Sequence, residues 1–283
     1  MAFKHNLIME YRRSDGKTIT AGTDFPDYKI LRADGLTGMP YNFTTSVNPQ
    51  ISGVQVNNQR AEARHIDVEL DCSNELRERA ISFFNPAYPM KLTVEWNGTK
   101  RWIAGRAKPV KVVAVNIYKI ITLQIELYCS DPYWNDMSNY GKDITRRQPL
   151  MAFPFVMLEG RGLISSYRVE GNTVTIRNTG DAPVPIRVVF RANADIINPR
   201  ITLNEQQFIQ INTPMHRGDE LDINTDPRGI YVKLNGQSAL NLSDRNSAYF
   251  QLPIGESLFS YQAGAEFDAV SVIVFFTPRY LGV

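Results

Sequence analysis

Near the middle of the chain, Leu127-Tyr128-Cys129-Ser130-Asp131-Pro132-Tyr133-Trp134 ends a run of predicted β-strands. An alternating pattern over residues 121–128 predicts a strand that leads directly into the polar turn Ser130-Asp131-Pro132. Pro132 cannot donate to a strand ladder and restricts Asp131 to extended conformations, so the strand must end here. Residues 135–149 are polar and loop-like, and the sequence beyond them is typical of a second β domain. We therefore predict an N-terminal domain at 1–140, a linker at 141–149 and a C-terminal domain at 150–283.

The composition is that of a folded protein with room for two domains. The chain has 283 residues, of which 43% are hydrophobic and 21% are charged. These values argue against disorder. The formal net charge is only +2, and neither half carries a strongly basic excess. The charge therefore argues against a protein that is held on nucleic acid mainly by phosphate neutralisation.

The two cysteines and the apolar segments indicate no disulfide framework and no membrane span. Cys72 and Cys129 each end an alternating segment. We expect both to be buried as thiols, and a bridge between them is the alternative. Residues 1–6 lack the apolar core of a signal peptide, and the longest apolar run, residues 270–276, is too short to cross a bilayer. We expect synthesis in a cytoplasm and no membrane partner.

The first half predicts a β-rich domain with one short helix. Residues 64–72 alternate, so that Ile66, Val68, Leu70 and Cys72 share one face of a half-buried strand. A helix follows, with a cap at Ser73 or Asn74, Glu75 in its first turn, apolar residues Leu76, Ala80, Phe83 and Phe84 at helical spacing, and an end before Pro86. Further strands are predicted at 7–11, 17–21, 90–96, 99–103, 108–118 and 120–129, with a tight turn at Asn97-Gly98. The predicted domain is α+β and built largely of sheet.

Residues 23–58 form a separate feature of this half, since they are rich in Gly, Pro, Asn and Asp. We predict loops with short strands that form an extended arm. Long irregular segments inside compact domains usually carry a function.

The second half predicts a β-sandwich or jelly roll. Short strands are predicted at 172–178, 185–190, 200–203, 207–211, 220–224, 230–234, 249–252 and 270–276. Turn signals such as Asn198-Pro199, Asn235-Gly236 and Pro253-Ile254-Gly255 separate them. The fold class as a whole is therefore mainly β.

The sequence carries no pattern of residues typical of a catalytic, cofactor-binding or metal site. His5, His65 and His216 are scattered, and none has a partner at metal-ligand spacing. Asp219, Glu220 and Asp222 could suggest calcium or glycoside chemistry, but in an alternating strand Glu220 and Asp222 share a solvent face. We therefore predict no catalytic, cofactor-binding or metal-ligating residue, and no cofactor.

Carbohydrate binding and catalysis remain as alternative functions. Sugar rings usually stack on an exposed aromatic side chain, and the second half contains no tryptophan. Its possible platforms are Tyr231, Tyr249, Phe259 and Tyr261, but at these spacings they are more simply explained as core or strand-edge residues. A glycosidase on a jelly roll would need two facing carboxylates at a defined separation, and no such pair stands out.

Several segments, taken in order, resemble the distal tail protein family of siphophages, the long-tailed bacteriophages. In the first half these are Arg64-His65-Ile66-Asp67-Val68, the helix ending at Pro86, Trp96-Asn97-Gly98, Arg101-Trp102-Ile103-Ala104-Gly105 and residues 127–134. In the second half they are Phe153-Pro154-Phe155, Ile176-Arg177-Asn178-Thr179-Gly180-Asp181, residues 218–225 and Leu252-Pro253-Ile254-Gly255, which are similar to that family's galectin-like domain.

The resemblance implies a structural virion protein at the tail tip, made in the host bacterial cytoplasm. Members of that family form a homohexameric ring from their N-terminal domains, and their galectin-like domains project outward. The ring joins the tail tube protein to the tail-tip hub, or tail-associated protein, and to the receptor-binding protein, and DNA passes through its lumen. A heterologous interface that closes on itself is needed for such a ring. We expect strands of the first domain and residues 23–58 to supply it.

Overall fold

The chain divides into two compact units. The computed structural model describes residues 6–48, 50, 52–115, 120–137, 140–143, 147–149, 166–168, 173–264 and 269–283. The first unit comprises Met1–Met137 together with Arg279–Val283, and the second comprises Ser138–Pro278. The chain thus returns to the first unit for its last five residues, which the sequence analysis did not predict.

The first unit is built of strands with one α-helix among its described residues. The strands are β1 Leu7–Arg13, β2 Thr18–Gly22, β3 Tyr28–Asp34, β4 Tyr41–Ser46, β5 Gln55–Ala61, β6 Arg64–Ser73, β7 Pro89–Trp96, β8 Thr99–Ala107, β9 Lys111–Val115, β10 Ile120–Cys129, β11 Trp134–Asp136 and β26 Arg279–Tyr280. The helix, α1, spans Asn74–Phe83. The predicted helix is confirmed, and the strands predicted at 7–11 and 17–21 form the antiparallel pair β1–β2.

Ten of these strands form one sheet that closes on itself. Its order is β26-β11-β8-β7-β1-β2-β3-β6-β10-β9, and β8 also pairs with β10 through Ala107 opposite Leu127 and Arg106 opposite Tyr128. Because β8 and β10 meet, the seven strands from β8 to β10 form a barrel. The seam at β2 and β3 is narrow, a single parallel pair between Gly22 and Lys29. β9 and the pair β11–β26 extend beyond the barrel.

The predicted alternation of β6 is confirmed, and it builds the core of this unit. Ile66, Val68, Leu70 and Cys72 are buried, while the residues between them are partly or fully exposed. β10 alternates in the same register, so Ile121, Leu123, Ile125 and Leu127 join the same apolar cluster. Both cysteines are buried and free, as predicted.

The helix α1 is fastened at its C-terminal end by a buried arginine on β1. Ser73 occupies the N-cap position, without a side-chain hydrogen bond there. At the other end Arg13 donates from Nη1 to the carbonyl oxygens of Ser82 and Phe83, at 3.0 and 3.3 Å. Capping the last carbonyls with a cation satisfies groups that the helix leaves unpaired. Phe84 then packs edge-on against Tyr11, with ring centroids 5.0 Å apart.

The segment 23–58 contains one strand of the main sheet and most of a separate hairpin. β3 pairs with β6, whereas β4 and β5 pair only with each other among the described residues. The predicted arm is therefore a two-stranded ribbon, which extends to Ala61.

The second unit contains two larger sheets around one apolar core. Its strands are β12 Tyr140–Asp143, β13 Arg147–Pro149, β14 Ser166–Arg168, β15 Thr173–Asn178, β16 Arg187–Ala192, β17 Ile196–Ile197, β18 Arg200–Leu203, β19 Gln207–Gln210, β20 Pro214–Met215, β21 Glu220–Asn224, β22 Tyr231–Leu234, β23 Gln237–Ser238, β24 Gly255–Gln262 and β25 Val270–Phe276, with a 3₁₀ turn at Leu240–Leu242. The sheets run β12-β25-β16-β21-β22-β23 and β15-β24-β18-β19. Residues of both, such as Phe190, Val272 and Phe259, share one buried cluster, so the unit is a β-sandwich.

Three predictions about this region were wrong. Residues 249–252 do not form a strand, since only Leu252 makes a bridge, with Val184. The neighbouring strand β24, at residues 255–262, was not predicted, because Gly255 was read as part of a turn. The loop predicted over 135–149 contains the strands β11, β12 and β13. The mainly β fold class itself is confirmed. In the described part of the chain no helix is long and apolar enough to cross a membrane.

Candidate functional site

Arg64, at the start of β6, fastens four separate segments of the first unit together. Its side chain is 2% exposed. Nε donates to the carbonyl oxygen of Pro132 at 2.7 Å and Nη1 to that of Gly35 at 2.7 Å. Nη2 donates to the carbonyl oxygens of Gly38 and Leu281, both at 2.6 Å. Burial lowers the pKa of this guanidinium, and four short bonds compensate for its loss of water. We call this group, Arg64 with the four carbonyls, the Arg64 clasp.

The clasp joins two of the segments that carry the family resemblance, residues 64–68 and residues 127–134. Arg64 opens the first of them, and Pro132 lies in the turn of residues 127–134. Trp134 of the same segment is fully buried, with its indole 5.9 Å from the guanidinium carbon. The polar turn therefore serves as an acceptor site for a buried cation.

The C-terminal strand β26 is held by further cation contacts within the first unit. Trp134 pairs with Tyr280 and Asn135 with Arg279. Arg101 stacks over Tyr280 with its guanidinium carbon 3.6 Å from the ring centroid, and it donates to the carbonyl oxygen of Gly282. Arg279 reaches Asp131 at 3.4 Å. These contacts bring the end of the chain to the segment that the clasp organises.

The clasp also positions the base of the ribbon β4–β5. Gly38 is one of its acceptors, and Pro40 accepts a bond of 2.9 Å from the amide of Glu62, on the other side of the ribbon. The base of the ribbon is thus fixed, while its strands leave the main sheet.

The ribbon has one apolar and one polar face. Residues directly opposite in an antiparallel pair point to the same side. One face therefore carries the pairs Tyr41–Ala61, Phe43–Gln59 and Thr45–Val56, and the other carries Asn42–Arg60, Thr44–Asn58 and Ser46–Gln55. On the apolar face Phe43 is 53% and Val56 52% exposed. Large apolar side chains in such a solvated position usually mark an interaction surface.

The polar face of the ribbon borders a cleft of about 800 Å³. The far wall consists of His65, Tyr128 and Ser130. Nδ1 of His65 lies 2.6 Å from Oε1 of Glu126, and Lys108 pairs with the same carboxylate. Hydrogen bonds from Lys108 and His65 lower the pKa of Glu126. The cleft is therefore polar, and the carboxylate in its lining, Glu62, accepts a bond of 2.9 Å from the side chain of Asn42.

The outer surface of β3, β6 and β10 carries a row of carboxylates. Asp34, Asp67 and Glu126 lie opposite one another on the three strands. Asp71 on β6 accepts a bond of 2.5 Å from the hydroxyl of Thr122. Because the alternate residues of β6 are buried, these acidic side chains must point away from the barrel interior.

Two edges of this part of the sheet are open. Among the described residues β9 pairs with β10 only, and its Val113 is 55% exposed. On the other side β3 meets β2 at one residue pair, which leaves the rest of its edge unpaired. Along that edge runs a groove of about 270 Å³, whose apolar lining residues include Leu7, Ile30, Leu31, Leu36 and Trp96. We call it the β3 groove.

The carboxylates that the sequence offered for chemistry in the second unit are engaged in local bonds. Asp222 accepts two bonds of 2.9 Å from Arg187, and Glu220 pairs with Arg191 at 2.9 Å. Asp219 binds the side chain of Asn235 and the backbone amide of His216, which lowers its pKa. Within the described ranges, no three His, Cys, Asp or Glu side chains are placed to hold a metal ion.

The aromatic residues considered for sugar stacking divide into two pairs. Phe259 and Tyr261 are buried in the core. Tyr231 and Tyr249 are partly exposed, but their hydroxyls are bonded, to Asp222 at 3.4 Å and to Ser243 at 2.6 Å. His5 lies outside the described residues. His65 lies in the cleft wall, and His216 lies 3.3 Å from Asp195 in a solvated turn.

Sequence reasoning missed the apolar face of the ribbon, although a signal for it was present. Residues 35–59 contain no charged residue and no histidine. A charge-free run of this length can be recognised in the sequence, although the register of β4 with β5 is needed to assign its residues to two faces.

Comparisons with known proteins give a family match for part of the chain and a fold match for most of it. Residues 179–280 match the family described as siphovirus-type tail component, C-terminal domain. No curated protein matches the chain. Among solved structures, the fold is similar to that of the SPP1 Dit protein, described as a paradigm of the hub adsorption apparatus in phages that infect Gram-positive bacteria. The TM-score is 0.71 at 13% identity, over 96% of this chain and 99% of that one.

Two chains of the phage p2 baseplate in its activated conformation are also similar. The one solved with Ca has a TM-score of 0.52 at 9% identity, over 96% of this chain and 98% of that one. The one solved with Sr has a TM-score of 0.51 at 9% identity, over 95% and 97%. At these identities the structures establish the shared fold, and the family match concerns residues 179–280 alone. Residues 179–280 are therefore similar to the siphovirus-type tail component family, and the chain as a whole shares the fold of SPP1 Dit.

Proposed function

We propose that this chain forms a hexameric ring at the distal end of a siphophage tail. The ring joins the tail tube protein to the tail-tip hub and to the receptor-binding protein, and DNA passes through its lumen. The observation that carries the proposal is the combination of the tail-component match at residues 179–280 with a fold shared with SPP1 Dit over 96% of the chain. Synthesis takes place in the host cytoplasm, and the ring needs no membrane.

The open edges of the first unit support ring closure. A ring of identical copies needs two different surfaces on each copy that fit one another. β9 and β3 provide two unpaired strand edges on opposite sides of the group β3-β6-β10-β9. Unpaired edges are templates for pairing with another chain. Strands of the first unit and the segment 23–58 therefore supply the interface.

The acidic surface of β3, β6 and β10 supports a lumen that DNA can traverse. Carboxylates such as Asp67 and Glu69 repel phosphate, so a wall that carries them does not retain DNA. Lys108 forms an ion pair with Glu126, and His65 lies within hydrogen-bond distance of the same carboxylate, whereas Asp67 and Glu69 have no described partner. This surface faces the channel, and DNA is a partner only in transit.

The second unit, Ser138–Pro278, serves as a docking platform, and we assign it a galectin-like fold. The boundaries proposed from the sequence, a ring domain at 1–140, a linker at 141–149 and a domain at 150–283, differ from this unit at both of its ends. The carboxylates that could support catalysis there are bonded to neighbouring arginines, so the proposed role is structural, not enzymatic. The alternative of a carbohydrate-binding module has less support, because Phe259 and Tyr261 are buried.

Light scattering after size exclusion, with negative-stain images of the same peak, tests the ring. The chain has a mass of 32.1 kDa, so six copies give about 193 kDa. A particle of that mass with a central hole supports the proposal, and a doubled mass indicates two stacked rings. A chain that stays monomeric even when mixed with its tube and hub proteins would contradict it.

A further inference from the structure

The ribbon β4–β5 lies within a run of sequence that carries no charge. Residues 35–59 are 25 consecutive uncharged residues, the longest such run in a chain that is 21% charged. At that frequency a segment of this length would contain about five charged residues. Depletion of charge together with exposed aromatic and aliphatic side chains is the composition of a protein interface core.

The exposure of the ribbon agrees with this composition. A two-stranded ribbon is marginally stable in water unless it packs against something. Exposed strand edges are normally protected by charged side chains or prolines. Here the described positions of both strands between Tyr41 and Arg60 are exposed, and Phe43 and Val56 lie on the apolar face. The apolar face is therefore suited to being covered in the assembled state.

The β3 groove is lined largely by apolar side chains, which makes it complementary to the apolar face of the ribbon. Its lining includes Ile30, Leu36 and Trp96, and Leu31 at its edge is 50% exposed. The charged residues at the groove, Arg32 and Asp34, pair with each other at 2.7 Å. An uncharged ribbon therefore meets no unpaired charge there. The volume of about 270 Å³ accommodates a phenyl ring.

Both surfaces belong to the same chain but lie at different places on it, and a single copy leaves both exposed. A donor and an acceptor at different sites generate a head-to-tail contact, which is the kind that closes a ring. The groove also runs along the open edge of β3, next to the strand edge available for closure. We propose that the apolar face of the ribbon, centred on Phe43 and Val56, docks in the β3 groove of the next copy of this chain. This inference rests on the proposed ring and names its contact.

Cysteine cross-linking tests the contact directly. The double variant Phe43→Cys with Leu31→Cys is treated with a short bismaleimide, and the products are resolved under denaturing conditions. The native Cys72 and Cys129 are buried, and burial raises the pKa of the Cys129 thiol to about 12, so the unsubstituted chain provides a low background. We expect a ladder of cross-linked species from two to six chains. The matched control, Thr44→Cys with Leu31→Cys, places the first thiol on the polar face and gives no ladder.

Charge substitutions on the two faces provide a second measurement. Phe43→Asp places a carboxylate on the apolar face, and we expect it to raise the concentration needed for half assembly by about tenfold or more. Thr44→Asp, on the adjacent position and opposite face, leaves assembly unchanged.

The outcomes separate this inference from the ring itself. Rings that form normally in the Phe43→Asp variant, or that cross-link from Phe43→Cys to a cysteine at Val113 and not to one at Leu31, overturn the docking contact and leave the ring intact. A wild-type chain that stays monomeric with its tube and hub proteins, together with no cross-linked product, overturns both.

Discussion

Replacing Arg64 with methionine removes the clasp while keeping a long apolar side chain at that position. In the native chain four of the five guanidinium N–H groups donate to backbone carbonyls at 2.6–2.7 Å. Methionine fills part of the same volume but donates nothing. The substitution therefore isolates the hydrogen bonds from the packing.

The expected loss of stability follows from those four bonds. A hydrogen bond from a charged donor contributes about 1.5–3 kcal/mol net, so the group contributes roughly 6 kcal/mol at the lower value. The substitution also removes the unfavourable burial of a charged guanidinium, and this offsets part of the lost hydrogen-bond energy. The carbonyl of Pro132 is buried and is left unpaired, whereas those of Gly35 and Gly38 are partly accessible to water. We expect a net loss of about 3–4 kcal/mol, or a melting temperature lower by roughly 10 °C for a unit of this size.

Tryptophan fluorescence during urea unfolding measures this loss. All three tryptophans, Trp96, Trp102 and Trp134, lie in the first unit, so the signal reports that unit alone. Arg64→Lys keeps the charge but reaches at most three acceptors, and we expect an intermediate loss. The matched control is Arg12→Met on β1, where the arginine is exposed and pairs with Glu10 at 2.9 Å, and its loss stays below about 1 kcal/mol. Equal midpoints for Arg64→Met and Arg12→Met would refute the reasoning.

Three further predictions concern the barrel seam, acid stability and the path of the chain. In thermal melts we expect Gly105→Ala to lower the free energy of unfolding by about 1–3 kcal/mol. The added Cβ would lie 2.7 Å from the carbonyl oxygen of Tyr128, where β8 meets β10. The control Gly229→Ala is neutral, because the space around that residue is open. The hydrogen bond from Arg13 lowers the pKa of Asp15 to about 2. Its contribution to stability is therefore complete above about pH 4 and is lost as the pH falls towards 2, so Asp15→Asn flattens the dependence of the urea midpoint over that window, and an unchanged slope would contradict this. Replacing residues 138–278 by a short Gly-Ser linker leaves a first unit that unfolds cooperatively, since β11 and β26 lie side by side. Truncation after Pro278 removes the Leu281 acceptor of Arg64 and lowers the urea midpoint of unfolding measured by tryptophan fluorescence. A linker variant less stable than the truncated chain would refute that account of β26.

Several elements were predictable because their signals are local. The alternation of residues 64–72 places one face of β6 in the core, and the spacing of Ala80, Phe83 and Phe84 produces the buried side of α1. Asn97 and Gly98 adopt positive φ angles of 49° and 85° and join β7 to β8, as a two-residue turn requires. Each of these depends on neighbours within about ten positions, which a sequence pattern records directly.

Other elements were missed because their partners lie far away in the chain. β24 begins at Gly255, which the sequence analysis predicted to be part of the turn Pro253-Ile254-Gly255. Gly255 does have a positive φ of 88°, but the strand that follows is stabilised by pairing with β15 and β18. The same holds for the candidate site: the sequence marked residues 23–58 as an arm, but only the register of β4 with β5 separates its apolar face from its polar one.

The residue pattern alone therefore establishes many of the strands, turns such as Asn97-Gly98, the helix α1, the mainly β class and the family resemblance, since alternation and turn chemistry are local properties. Tertiary structure alone establishes the closure of the barrel, the two open edges, the return of β26 and the role of Arg64. The bond from Arg64 to Leu281 joins residues 217 positions apart, and no local pattern specifies which distant carbonyl a buried cation will find. Such contacts are selected by the packing of the whole unit, because burying the guanidinium is favourable only where several acceptors converge on it.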